Sequence, residues 1–87
     1  MNNPIRKNNL AFNRLKDELV IIDFSSDKQF HQLNDVGARI WELCDGANSI
    51  DDISTVISSE FDTSPSEALQ DTKEFINELS RLQLLDC

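Results

Sequence analysis

Along the 87 residues the apolar positions change rhythm once, near residue 34. Before it they fall in short runs of β-branched, aromatic and leucine residues. After it they recur every three to four residues, so the first part predicts strands and the second helices. Leu10 to Lys16 reads as a weak strand anchored by Phe12 and Leu15, whose spacing is not strictly alternate. Asp17-Glu18 is a polar break of hairpin length. Leu19 to Phe24 (LVIIDF) is the strongest strand, and its nearly unbroken apolar character predicts that both of its faces are covered. Ser25-Ser26-Asp27-Lys28 is a turn cluster, and Gln29 to Leu33 (QFHQL) is a short third strand. Connections this short make neighbouring strands antiparallel, with LVIIDF in the middle. The third strand is then an edge whose outer N–H and C=O groups have no partner in the chain.

Three helices follow, each with a start signal. Asn34 is an N-cap before Asp35 to Asp45, where Val36, Ile40, Leu43 and Cys44 share a face and Gly46 stands at the C-cap. Ser49 caps the second helix, Asp51 and Asp52 lie in its first turn, and Ile50, Ile53, Val56, Ile57 and Phe61 form its stripe. Ser64-Pro65-Ser66-Glu67 has the form of a capping box with proline at the first helical position. The third helix runs to about Leu82, with Ala68, Leu69, Thr72, Phe75, Ile76, Leu79 and Leu82 on a broad apolar face. Beside that face Glu67, Asp71, Glu74 and Glu78 make an acidic strip, which costs the helix a few tenths of a kcal/mol per pair. The whole is one α+β unit, a three-stranded antiparallel sheet followed by three helices, with residues 1–9 as a flexible N-terminal arm.

Charge narrows the function. Residues 1–39 hold six basic and five acidic side chains, whereas residues 40–87 hold two and eleven, for a net charge of −8 overall. Nucleic acid and anionic membrane both need clustered Lys and Arg, so neither is expected as a partner. No run of about 18 apolar residues is present, and MNNPIRKNNL lacks the apolar stretch of a signal peptide. Cys44 and Cys87 show no CxxC spacing and read as reduced thiols in a cytoplasmic protein.

Little catalytic chemistry is visible. His31 is the only histidine, no metal-ligand spacing surrounds it, and a packed or solvent-facing strand histidine is the plainer reading. Ser49, Ser54, Ser58 and Ser59 have no base near them in sequence, and Asp51-Asp52 is explained by capping. Trp41 could be a ligand platform, but beside Ile40 on a short helix it reads as core or half-core. Asn48-Ser49-Ile50 invites comparison with an acyl carrier protein, yet that family has Asp before its serine and is all-helical. The chain reads as a binding protein without a cofactor or metal, not as an enzyme.

The stretch Leu33-Asn34-Asp35-Val36-Gly37-Ala38-Arg39-Ile40-Trp41-Glu42-Leu43-Cys44-Asp45-Gly46 resembles the LN-x-x-G-a-x-I-W-x-L-x-D-G signature of PqqD-like proteins. These are the recognition elements for the precursors of ribosomally made, modified peptide natural products. Ser49, Ile53 and Phe61 match the family's later positions, and Asp71, Phe75, Ile76 and Leu79 resemble its third helix. Leu84-Leu85 resembles its closing G-L-L, but Gln83 stands where glycine is usual, which puts the left-handed cap in doubt. The resemblance spans roughly residues 10–85.

It implies a winged-helix-like arrangement that binds the leader of a precursor peptide as an extra strand beside the third strand. The third helix would form the other wall of the cleft. Gln29, Phe30, His31, Gln32 and Leu33 would offer backbone groups to the guest. Phe75, Leu79 and Leu82 would form an apolar floor. Asp71, Glu74 and Glu78 are either a solvated face or a lip that attracts Lys or Arg of the leader. Proline at Phe30 or Gln32 would remove a backbone donor, and one of the two is expected to face outward. The partners implied are a precursor peptide and a modifying enzyme, such as a radical S-adenosylmethionine enzyme or a leader peptidase. Two rival readings stand beside this one. One is a winged-helix DNA-binding regulator, which residues 40–87 disfavour with only Lys73 and Arg81 against their acids. The other is a general protein-interaction module with a different partner.

Overall fold

The computed structural model describes residues 3–8, 10–24 and 29–86. Strands β1 (Leu10–Leu15), β2 (Glu18–Asp23) and β3 (Gln29–Leu33) precede helices α1 (Asp35–Leu43), α2 (Ile50–Glu60) and α3 (Pro65–Arg81). The sheet is antiparallel in the order β1-β2-β3, which leaves β3 at an edge as its sequence predicts. The hairpin loop is Lys16-Asp17, one residue earlier than the expected break, with Lys16 at a φ of +21°. The predicted turn at Ser25-Ser26-Asp27-Lys28 lies outside the described residues, as does Cys87.

Burial along β2 corrects one expectation. Leu19 and Ile21 are fully buried, but Val20 and Ile22 are only half-buried. Helix α1 packs against β2 and β3 while α2 runs along α3. The helices therefore cover one face of the sheet, and the alternation of side chains leaves the other face to solvent. Ala11 and Phe30 flank Ile22 on that outer face. On the covered face Leu19, Ile21, Ile40, Trp41, Ile53, Ile57, Leu79 and Leu84 form a continuous buried core.

The caps account for the helix starts. Asn34 Oδ1 accepts from the Gly37 amide at 2.9 Å, Ser49 and Asp52 exchange two 3.1 Å bonds, and Ser64 Oγ accepts from the Glu67 amide at 3.3 Å. At the end of α3 the Gln83 amide donates to Ser80 O at 3.0 Å and the Leu84 amide to Leu79 O at 2.9 Å. These two bonds are a Schellman closure, and buried Leu84 and Leu79 supply its apolar contact. The closure forms although its left-handed residue is Gln83, at a φ of +61°. A side chain in that conformation costs roughly 1 kcal/mol relative to glycine. The left-handed cap put in doubt by the missing glycine is thus present.

Part of the expected N-terminal arm is docked. Pro4 O accepts from Gly46 N and Ile5 O from Asp86 N, at 3.0 and 2.8 Å. In return Arg6 N donates to Cys44 O and Lys7 N to Leu84 O, at 3.0 and 3.2 Å. The segment satisfies backbone groups left over where α1 ends and where the C-terminal tail leaves α3.

Candidate peptide-binding cleft

The hairpin determines which β3 groups face outward. In a two-residue loop the flanking residues, here Leu15 and Glu18, form the closing hydrogen-bonded pair. Alternation then turns the backbone groups of Glu18, Val20 and Ile22 toward β1 and those of Leu19, Ile21 and Asp23 toward β3. Leu33, His31 and Gln29 pair with the latter three, so Phe30 and Gln32 both direct their N–H and C=O groups away from the sheet. The expectation that only one of the two faces outward is corrected, because residues two apart share an orientation.

Beside this edge an open cleft of about 530 Å³ lies between β3 and α3, with α1 beneath. Gln32, Leu33 and Asn34 line one side, Asp71 and Phe75 the other, and Val36, Gly37 and Ile40 the bottom. Of the residues singled out in the sequence, Gln32, Leu33, Asp71 and Phe75 are brought together here. Phe30 is 69% exposed on the outer sheet face and Gln29 is exposed at the far end of β3. Half-buried His31 packs on the core side opposite Ile21, and its Nε2 has no hydrogen-bond partner among the described residues. Leu79 is fully buried in the core, and Leu82 caps α3 beyond the cleft. The floor therefore comes from α1, through Val36, Gly37 and Ile40, which the sequence reading did not assign to the site.

The acidic strip also divides. Asp71 lines the cleft, whereas Glu74 and Glu78 share a shallow surface with Asn77, Ser80 and Arg81. Arg81 makes a two-pronged contact with Glu78, at 2.5 and 3.1 Å. Its hydrogen bonds hold the Glu78 carboxyl below the usual carboxylate range, while the exposed Arg81 guanidinium is correspondingly raised.

On the opposite side of α1 side chains bridge the gap beside a smaller hollow of about 330 Å³ lined by Ile5, Leu10, Phe12 and Cys44. Arg14 bridges Asp35 at 3.2 Å and Glu42 at 2.8 Å, and Arg39 joins Glu42 to Glu60. Phe12 meets the buried Trp41 ring edge-on, with centroids 5.6 Å apart. Arg6 lies over both rings and donates from Nη1 to the Trp41 and Glu42 carbonyls at 2.9 Å, satisfying the end of a helix with no basic residue in its own last turn. Trp41 is thus core and not a platform. Among the described residues no group of three or more His, Cys, Asp or Glu could hold a metal ion, and no helix is long and apolar enough to cross a membrane.

A comparison with curated proteins gives no match. One solved structure, "TbiB1 in Complex with the TbiA(beta) Leader Peptide", shares the fold with a TM-score of 0.84, 22% identity and 94% of each chain covered. The model of the PqqD family, "Coenzyme PQQ synthesis protein D (PqqD)", matches residues 18–85. That span takes in β2, β3, all three helices and the closing Leu84-Leu85, and the chain belongs to the PqqD family.

Proposed function

We propose that this protein captures the leader segment of a ribosomally made precursor peptide and holds it for a modifying enzyme, acting as a binding protein in the cytoplasm. The observation that carries the reading is the main-chain row of Phe30 and Gln32 beside the cleft, which has no partner strand among the described residues. A guest strand pairing there gains main-chain hydrogen bonds irrespective of its sequence, and its alternate side chains enter the cleft, where selectivity arises. Family membership and the leader peptide bound to the structural neighbour both favour this guest over an unrelated protein. The acidic character of α3 disfavours DNA, since Arg81 is already paired with Glu78. The partner enzyme would be a radical S-adenosylmethionine enzyme or a leader peptidase.

The test is fluorescence polarisation with a labelled synthetic leader of the precursor encoded beside this chain. Phe30→Pro and Gln32→Pro each remove an outward donor without touching the β2 ladder. Each should weaken binding by roughly tenfold or more, the scale of a lost main-chain contact plus local strain. Unchanged affinity in both variants would place the guest elsewhere.

A further inference from the structure

Gly37 occupies the third position of α1, where its amide donates to the Asn34 cap. Glycine inside a helix is a liability, because it loses more backbone freedom on folding than alanine does. The surroundings supply the reason for it. A Cβ at residue 37 would lie 2.8 Å from Phe75 Cζ, 3.0 Å from Phe75 Cε1 and 3.2 Å from Asn34 Oδ1. The far end of the Phe75 ring fills the space that any side chain at 37 would need.

We propose that Gly37 is the positioning residue of the cleft: by having no side chain it lets the Phe75 ring rest against α1 and so keeps the guest's seat open. The proposal rests on the cleft being the leader's binding site. The backbone of α1 cannot yield easily, since Asn34 caps it and Ala38, Ile40 and Trp41 lock it into the core. Phe75 is half-buried, packed against that core on one side and lining the open cleft on the other. A ring displaced from residue 37 finds close-packed atoms toward the core and free volume only toward the cleft. It would then stand where the guest's side chains enter. Gly37→Ala therefore acts in opposite directions on the two properties, improving the helix while obstructing the site.

Two measurements on the full chain test this. The first is the affinity of the fluorescein-labelled synthetic leader for the wild type, Gly37→Ala, Phe75→Leu and the double variant. Leucine lacks the two ring atoms that clash, so Gly37→Ala should cost about tenfold beside Phe75 and less than about threefold beside leucine. An equal loss in both backgrounds, or none beside Phe75, would overturn the proposal. The second needs no ligand: nuclear Overhauser contacts of the Phe75 ring should move from residue 37 toward Gln32 and Val36 in Gly37→Ala. A ring that keeps its wild-type contacts contradicts the proposal even if the wild type fails to bind the leader, a result that would sink the leader reading instead. Should Gly37→Ala not fold, Phe75→Leu must restore folding, and a double variant that stays unfolded overturns the assignment to Phe75.

Discussion

Helix α1 is flanked by two gaps, one under β1 and one between β3 and α3, and the chain treats them differently. Under β1, Phe12 packs edge-on to Trp41, Arg14 spans Asp35 and Glu42, and Arg6 closes the end of the helix. Between β3 and α3 the bottom is Val36, Gly37 and Ile40, Asp71 is the one charged residue lining the cleft among the described residues, and about 530 Å³ stays open. Long cationic side chains bridge one gap and narrow it to about 330 Å³, because each carries an apolar stem and a donor head that reaches several acceptors at once. A glycine and short apolar residues leave the other gap as a groove beside unclaimed strand groups. A fold this small has little core to spare, so on the proposed reading the bridged side serves stability and the open side binding.

That division can be broken from either side. Arg6→Ala removes two hydrogen bonds to α1 carbonyls and a cation over two rings. It should lower the unfolding free energy by about 1–2 kcal/mol in urea titration while leaving leader affinity within about twofold. A large loss of affinity without a loss of stability would show that the two sides are not separate. Asp71→Asn addresses the open side with a smaller effect. If Asp71 alone forms the lip, its removal should weaken a leader bearing Lys or Arg by about twofold to fivefold at low salt, with the difference vanishing at high salt. Titrations of wild type and variant that coincide at every ionic strength would remove the lip and leave strand addition standing.

How much of this could be read from the chain follows from the range of each interaction. The six elements were legible because their signals are local: apolar period, the Asn34, Ser49 and Ser64 caps, and the short hairpin break. The bare β3 edge followed from strand order alone. The docking of Arg6 onto α1 was not legible, since its acceptors lie 35 and 36 residues away and no local pattern announces them. The sequence offers Phe75, Leu79 and Leu82 as the cleft floor, but the rotation of α3 sends Leu79 into the core and sets Phe75 over α1 as a wall of the cleft. The acidic strip is one feature in the sequence, and the contact of Arg81 with Glu78 divides it. LVIIDF suggests two covered faces, yet hydrophobicity alone cannot say that α1 packs on one face and leaves the other to solvent. One missed signal was available: a glycine within a helical pattern marks a close approach, and Gly37 is where Phe75 approaches.

Hydrogen exchange at individual amides of β3, with and without a saturating labelled leader, bears most directly on the open edge. In the free protein His31 should exchange slowly, being paired to β2, while Phe30 and Gln32 exchange rapidly. Saturation should slow Phe30 and Gln32 together by about tenfold or more and leave His31 nearly unchanged. A saturated complex in which Phe30 and Gln32 still exchange at their free rates would show that the guest does not add to the sheet.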